Sequence, residues 1–183
     1  LTFSSISLIG CGGYAHRSEA FRRSLTVGQP QVALEKVNEA LGVDKATDMP
    51  SEMDADTPHP VISLMDEQRN IANKGGTMRL GAWACTIEKN TLLHKIYDSD
   101  HIEERHRHRY EFNDAYYEQF NKHGMIASGV NPQTKLVEAI ELQSHPWFVG
   151  VQYHPEYRST VAQPHPLFVD FVNACNNYAQ SKK

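Results

Sequence analysis

Apolar and polar positions alternate along this chain in short blocks. Residues 2–9 are rich in β-branched and apolar side chains and run into Gly10-Cys11-Gly12-Gly13, a strand entering a tight turn. Residues 14–25 can form a short helix. A better helical pattern covers 31–41, where Ala33, Leu34, Val37 and Leu41 share one face and Gly42 stands at the C-cap position. The polar, Pro-containing stretch 44–60 reads as a loop, 61–64 as a short strand, 68–76 as turn or loop, and 78–87 as another strand. Asn113 caps a short helix that runs through Phe120 and stops at Gly124. Residues 136–142 carry apolar side chains on both faces, which predicts a sheet strand only partly open to water. Residues 148–153 form a further strand. Pro166 opens a last helix, with Leu167, Phe168, Phe171, Val172 and Cys175 on its inner face. Strands alternating with helices predict an α/β fold. No repeat or dividing linker interrupts the pattern, so residues 1–183 are expected to form one domain.

Composition narrows the class. Hydrophobic residues make up 40% and charged residues 22%, the balance of a soluble globular domain. The net charge of −4 gives no broad basic surface, which argues against nucleic acid as a partner. No apolar run approaches the roughly 20 residues of a membrane-spanning helix. The apolar start has no basic segment before it and reads as a strand, not as a signal peptide. Three cysteines (Cys11, Cys85 and Cys175) are too few and odd in number for a disulfide framework. They suit a reducing compartment, hence the cytoplasm, and no Cys or His spacing matches a zinc site. Cys85 and Cys175 fall in strand and helix patterns and read as core.

One tripeptide has the form of a catalytic pair. His154-Pro155-Glu156 follows the strand 148–153 directly, and strand ends are where α/β folds place chemistry. The proline stiffens the bend between imidazole and carboxylate. A carboxylate there can hold the imidazole tautomer and stabilise the imidazolium, which suits a general base for a thiol or hydroxyl nucleophile. The plain alternative is a histidine in a turn that caps the strand. The wider run Val149-Gly150-Val151-Gln152-Tyr153-His154-Pro155-Glu156-Tyr157 resembles the G-x-Q-[FY]-H-P-E signature of class I glutamine amidotransferases.

Further runs resemble, within that family, the glutaminase domain of CTP synthases. They are Gly75-Gly76-Thr77-Met78-Arg79-Leu80-Gly81-Ala82, Glu104-Arg105-His106-Arg107-His108-Arg109-Tyr110-Glu111-Phe112-Asn113, His145-Pro146-Trp147-Phe148, Pro164-His165-Pro166-Leu167-Phe168 and Leu64-Met65-Asp66-Glu67-Gln68. The likeness holds over residues 46–183 and is poor over 1–45. It implies that Arg109 and the backbone of Tyr110 hold the α-carboxylate of L-glutamine. From the residues alone, Arg105, Arg107 and Arg109 share one face of an extended segment, with His106 and His108 on the other. That is equally the pattern of a solvated basic strand. Arg105 and Arg107 can equally serve an interface with a synthase domain. The resemblance also implies that Glu52, in Pro50-Ser51-Glu52-Met53, receives the glutamine α-amino group; otherwise it is an exposed loop acid.

The nucleophile is the open point, because the family's G-[IT]-C-x-G-[MF]-Q elbow is not intact here. In one register Ile9-Gly10-Cys11-Gly12-Gly13-Tyr14 is the elbow. Cys11 is then the nucleophile, and backbone amides at Gly12 or Gly13 hold the oxyanion. In the other, Cys11-Gly12-Gly13-Tyr14-Ala15-His16-Arg17 corresponds to the oxyanion loop and Thr26 stands where the nucleophile belongs, which leaves the site inactive. A small buried cysteine in a tight turn is the third option.

The resemblance implies an open, mainly parallel sheet with helices on both faces, N-terminally truncated relative to the family. It implies hydrolysis of L-glutamine to glutamate and ammonia by Cys11, His154 and Glu156. The ammonia would serve an ATP-dependent synthase domain, absent from this chain, that aminates UTP to CTP. No cofactor or metal is expected in the present domain, since ATP and Mg2+ belong to that absent one. The competing expectation is an inactive amidotransferase-like domain kept for binding or regulation.

Overall fold

The computed structural model describes residues 7–8, 38–39, 42, 56, 58–64 and 78–181. Eight strands can be traced among the described residues. They are β1 (Ser7–Leu8), β2 (Ile62–Leu64), β3 (Arg79–Ile87), β4 (His101–His108), β5 (Tyr110–Phe112), β6 (Met125–Val130), β7 (Val137–Leu142) and β8 (Val149–Val151). Three α-helices lie wholly among the described residues: α1 (Leu92–Tyr97), α2 (Tyr117–Lys122) and α3 (Pro166–Ser181). Six strands form one sheet in the order β1-β8-β7-β6-β3-β4, and β2 with β5 makes a separate ribbon.

Every strand pair among the described residues is antiparallel, so the mainly parallel pairing expected from the sequence is not found there. For two of the pairs the connections explain it: short loops join β6 to β7 and β7 to β8, whereas a parallel neighbour needs a crossover of roughly a dozen residues or more. Helices on both faces do hold. α1 and α3 close one face over Cys85, Ile87, Leu93, Trp147, Val149, Tyr153, Leu167 and Phe171. α2 and the β2–β5 ribbon close the other over Ile62, Phe112, Phe120, Met125, Ile140 and Phe148. β7 is therefore buried along its whole length, where the sequence suggested partial exposure to water.

Local chemistry sets the element ends. Gly42 has φ +68° and its N–H reaches Glu39 O at 3.2 Å, the expected left-handed helix stop. The Asn113 carboxamide oxygen accepts from the Ala115 N–H at 3.1 Å, opening the 3-10 turn that leads into α2. α1 was not expected from the sequence. Thr91 caps it, and the buried Glu141 carboxylate accepts from the Leu92 and Leu93 N–H groups at 3.0 and 3.1 Å. On α3 the inner stripe runs through the buried Leu167 and Phe171 and the partly buried Ala174, Cys175 and Tyr178. Val172, expected inward, is 54% exposed because it lies about 100° around the helix from Phe171.

Candidate active site

β8 ends at Val151, and the chain leaving it crosses towards the outer edge of β4. The Gln152 N–H donates to Glu138 O at 2.8 Å, and the His154 N–H donates to Arg105 O at 2.8 Å. Tyr153 between them is fully buried. His154 then opens a 3-10 turn, Pro155–Arg158, with proline in its first position, where no N–H is required. This turn swings Glu156 back onto its neighbour: His154 Nδ1 and Glu156 Oε1 are 2.7 Å apart. Tyr157 stacks on the imidazole, with ring centroids 4.9 Å apart and planes 15° apart.

The hydrogen bond places the proton of neutral His154 on Nδ1 and leaves Nε2 as the basic nitrogen. The imidazole is nearly enclosed, 11% exposed, while the carboxylate is 52% exposed and stays hydrated. An oriented imidazole with a free ring nitrogen at a strand end can take a proton from a nucleophile and return it to a leaving group.

Of the other residues singled out by sequence, Arg109 and Tyr110 lie half-buried where the chain passes from β4 to β5. Arg105 and Arg107 point outwards from β4 and His106 and His108 inwards, as their alternation requires. Cys11, Gly12, Gly13, Glu52 and Thr26 lie outside the described residues. Cys85 is buried, and burial followed by the charge of Glu138 pushes its thiol up to about 12. Such a thiol is a core group and no nucleophile.

Behind the pair lies a buried ionic network that sequence reading did not assign. Arg79 on β3 makes a two-pronged pair with Glu138 on β7, and its Nη1 is 3.3 Å from Glu111 Oε1 on β5. His108 Nε2 lies 3.0 Å from the same Oε1, and Gln152 Nε2 donates to Glu111 Oε2 at 3.3 Å. His106 Nε2 stands 3.6 Å from Glu138 Oε2. Burial opposes the charge of Arg79, but hydrogen bonds and charges from Glu138 and Glu111 outweigh it and raise the guanidinium above its ordinary range. Burial lifts the Glu138 carboxyl despite Arg79. Burial, then the charges of Arg79, His108 and His154, depress His106 to about 2, so it stays neutral.

A second buried group joins β4 to the start of α3. The Tyr97 hydroxyl lies 3.0 Å from Glu104 Oε1, 3.1 Å from the Tyr153 hydroxyl and 3.2 Å from His165 Nε2. The signal in both cases was polar residues at inward positions of strands: Arg79, Glu104, His106, His108 and Glu138.

The profile of the family described as Glutamine amidotransferase class-I matches residues 15–174. The chain belongs to the class I glutamine amidotransferase family. Within it, the chain is of the glutaminase-domain kind found in CTP synthases. It is 51% identical over 170 residues to a CTP synthase of Christiangramia forsetii, covering 93% of this chain and 31% of that protein. It is 56% identical over 153 residues to a CTP synthase of Flavobacterium johnsoniae, covering 84% and 28%. The chain thus spans under a third of the length of these relatives. Among solved structures it resembles the glutaminase domain of Trypanosoma brucei CTP synthase with bound acivicin. That match has a TM-score of 0.70 and 34% identity, covering 91% of this chain and 69% of that one. The run from Gly150 to Glu156 thus ends in the turn that brings His154 and Glu156 together. No helix among the described residues is long and apolar enough to cross a membrane.

Proposed function

We propose that this chain is a working glutaminase, in which His154 is the general base and Glu156 orients it. The observation that carries the reading is the 2.7 Å contact between His154 Nδ1 and Glu156 Oε1 at the end of β8, in a chain of this family. Cys11 supplies the thiol. Its proton passes to His154 and the thiolate attacks the side-chain amide carbon of L-glutamine. Backbone amides at Gly12 or Gly13 receive the oxyanion. The protonated imidazole gives its proton to the departing nitrogen, the C–N bond breaks, and ammonia leaves a thioester. Water, deprotonated by His154, then hydrolyses the thioester to glutamate and restores the thiol. Arg109 and the Tyr110 backbone hold the α-carboxylate of the substrate, and Glu52 holds its α-amino group.

The relatives extend well beyond this domain. In the same reading the ammonia serves a synthase domain outside this chain, where ATP and Mg2+ act and UTP becomes CTP. That domain, and not a nucleic acid or a membrane, is the partner, and the setting is the cytoplasm. In this reading residues 1–183 belong to a single glutamine amidotransferase domain.

A glutamine-analogue diazoketone, which alkylates active-site cysteines, tests the reading by mass spectrometry. An adduct on Cys11 that is lost in His154→Ala supports the working site. A folded protein with no adduct on any cysteine supports the second reading, an inactive domain with Thr26 at the nucleophile position. The departure of residues 9–15 from the family's elbow motif is what favours that alternative.

A further inference from the structure

We propose that Glu111 is a positioning residue that sets Arg109 in register with His154; the proposal rests on the role given to Arg109 above. Arg109 is the single residue between β4, which pairs with β3, and β5, which pairs with β2. The chain changes partners at this point, so strand pairing alone does not fix the direction of the Arg109 side chain. A contact across it ties down the backbone on both sides. His108, the residue before, and Glu111, two residues after, meet through Nε2 and Oε1 at 3.0 Å, and both are buried.

The same carboxylate is held from two further elements. Arg79 Nη1 on β3 approaches Oε1 and Oε2 at 3.3 and 3.4 Å. Gln152, two residues before His154, donates from Nε2 to Oε2 at 3.3 Å. Gln152 is itself fixed, since its N–H bonds Glu138 O at 2.8 Å. One buried carboxylate thus joins the turn that presents Arg109 to the segment that presents His154. Both ends of a bound substrate would be read against that single reference. A bond between buried, charged partners is strong enough to hold such a reference, and a small displacement there moves both groups relative to each other.

The test is a double-mutant cycle on L-glutamine affinity, measured by titration calorimetry on the chain itself. Glu111→Gln keeps the shape and removes the charge. It should weaken binding about tenfold, as expected for a charged hydrogen bond. With Arg109→Met already present, Glu111→Gln should change affinity by no more than about twofold, because the group it positions is gone. An equal loss in both backgrounds would mean that Glu111 serves only the fold, and the proposal falls. Should Glu111→Gln fail to fold, Gln152→Leu takes its place, since it leaves the Arg79–Glu111 pair intact. It should give a severalfold loss that vanishes in the Arg109→Met background, and a loss that persists there overturns the proposal. If Arg109→Met leaves glutamine binding unchanged, the anchor is wrong and the proposal falls while the glutaminase reading stands. If the wild-type chain binds no glutamine, that reading fails as well.

Discussion

Replacing Arg79 by methionine isolates the energetics of the buried network. Arg79 faces Glu138 from β7, Glu111 from β5 and His106 and His108 around β4, and its guanidinium carbon lies 4.6 Å from the Trp83 ring centroid. Methionine fills much of the stem volume but leaves two buried carboxylates without their cation. Breaking a buried pair from one side costs about 3–5 kcal/mol. That is a large share of the roughly 5–15 kcal/mol by which domains are stable.

The penalty should depend on pH, and its direction follows from Glu138. Burial already holds that carboxyl above its ordinary range, with Arg79 the chief influence pulling it down. Without Arg79 it rises further. A carboxyl with a raised folded pKa contributes stability at low pH that is lost as pH rises through the folded value. Acidification therefore protonates Glu138 in the folded variant first and recovers up to about 1.4 kcal/mol per pH unit within that window. Urea unfolding followed by tryptophan fluorescence at pH 8 and pH 5.5 reads both effects. Arg79→Met should be destabilised by about 3–5 kcal/mol at pH 8 and by clearly less at pH 5.5. Adding Glu138→Gln should restore most of the loss and remove its pH dependence. A penalty under about 1 kcal/mol, or one identical at both pH values, would refute the argument, because that is the behaviour of a hydrated surface pair.

Three further outcomes are expected. In Gly129→Ala, the new Cβ would lie 2.7 Å from Cys85 Sγ and 3.2 Å from both Ala139 Cβ and Leu93 Cδ2. The overpacking should cost about 1–3 kcal/mol in urea unfolding and be relieved by Cys85→Ala; an unchanged midpoint would contradict the packing. Cys85, with its thiol pushed up to about 12, should resist iodoacetamide in the native protein at pH 8 and react once unfolded, as read by peptide mass spectrometry. His106 is depressed to about 2, so its contribution to stability is present above the ordinary histidine range and is lost as pH falls below it. The unfolded chain gains that proton near pH 6.5, at up to about 1.4 kcal/mol per pH unit, so His106→Gln should flatten the acid limb of the stability curve relative to wild type.

The sequence by itself determined the elements that are long, strongly patterned or capped by their own residues. Period-2 alternation put Arg105 and Arg107 on one face of an extended segment and His106 and His108 on the other, and the structure turns the histidine face inwards. Gly42, Asn113, Gly124 and Pro166 marked the ends that the structure uses, because a positive φ, a side-chain cap or a missing N–H is a property of one residue and its neighbours. His154-Pro155-Glu156 was legible for the same reason: its hydrogen bond spans two residues.

Tertiary structure decided what depends on distant partners. α1 has only six residues, and beyond its Thr91 cap its first N–H groups are satisfied by Glu141 from β7, a partner far away in sequence. β6 carries a glycine at 129 because a Cβ there would press on Cys85, Ala139 and Leu93, a demand of packing and not of strand propensity. The antiparallel pairing of the strands was likewise set by which strands meet in the folded sheet. The network around Arg79 and Glu111 joins residues from β3, β4, β5, β7 and the exit of β8, which the sequence holds far apart. Each charge there is tolerable in the core only because the others surround it, and that condition exists only once the sheet has formed.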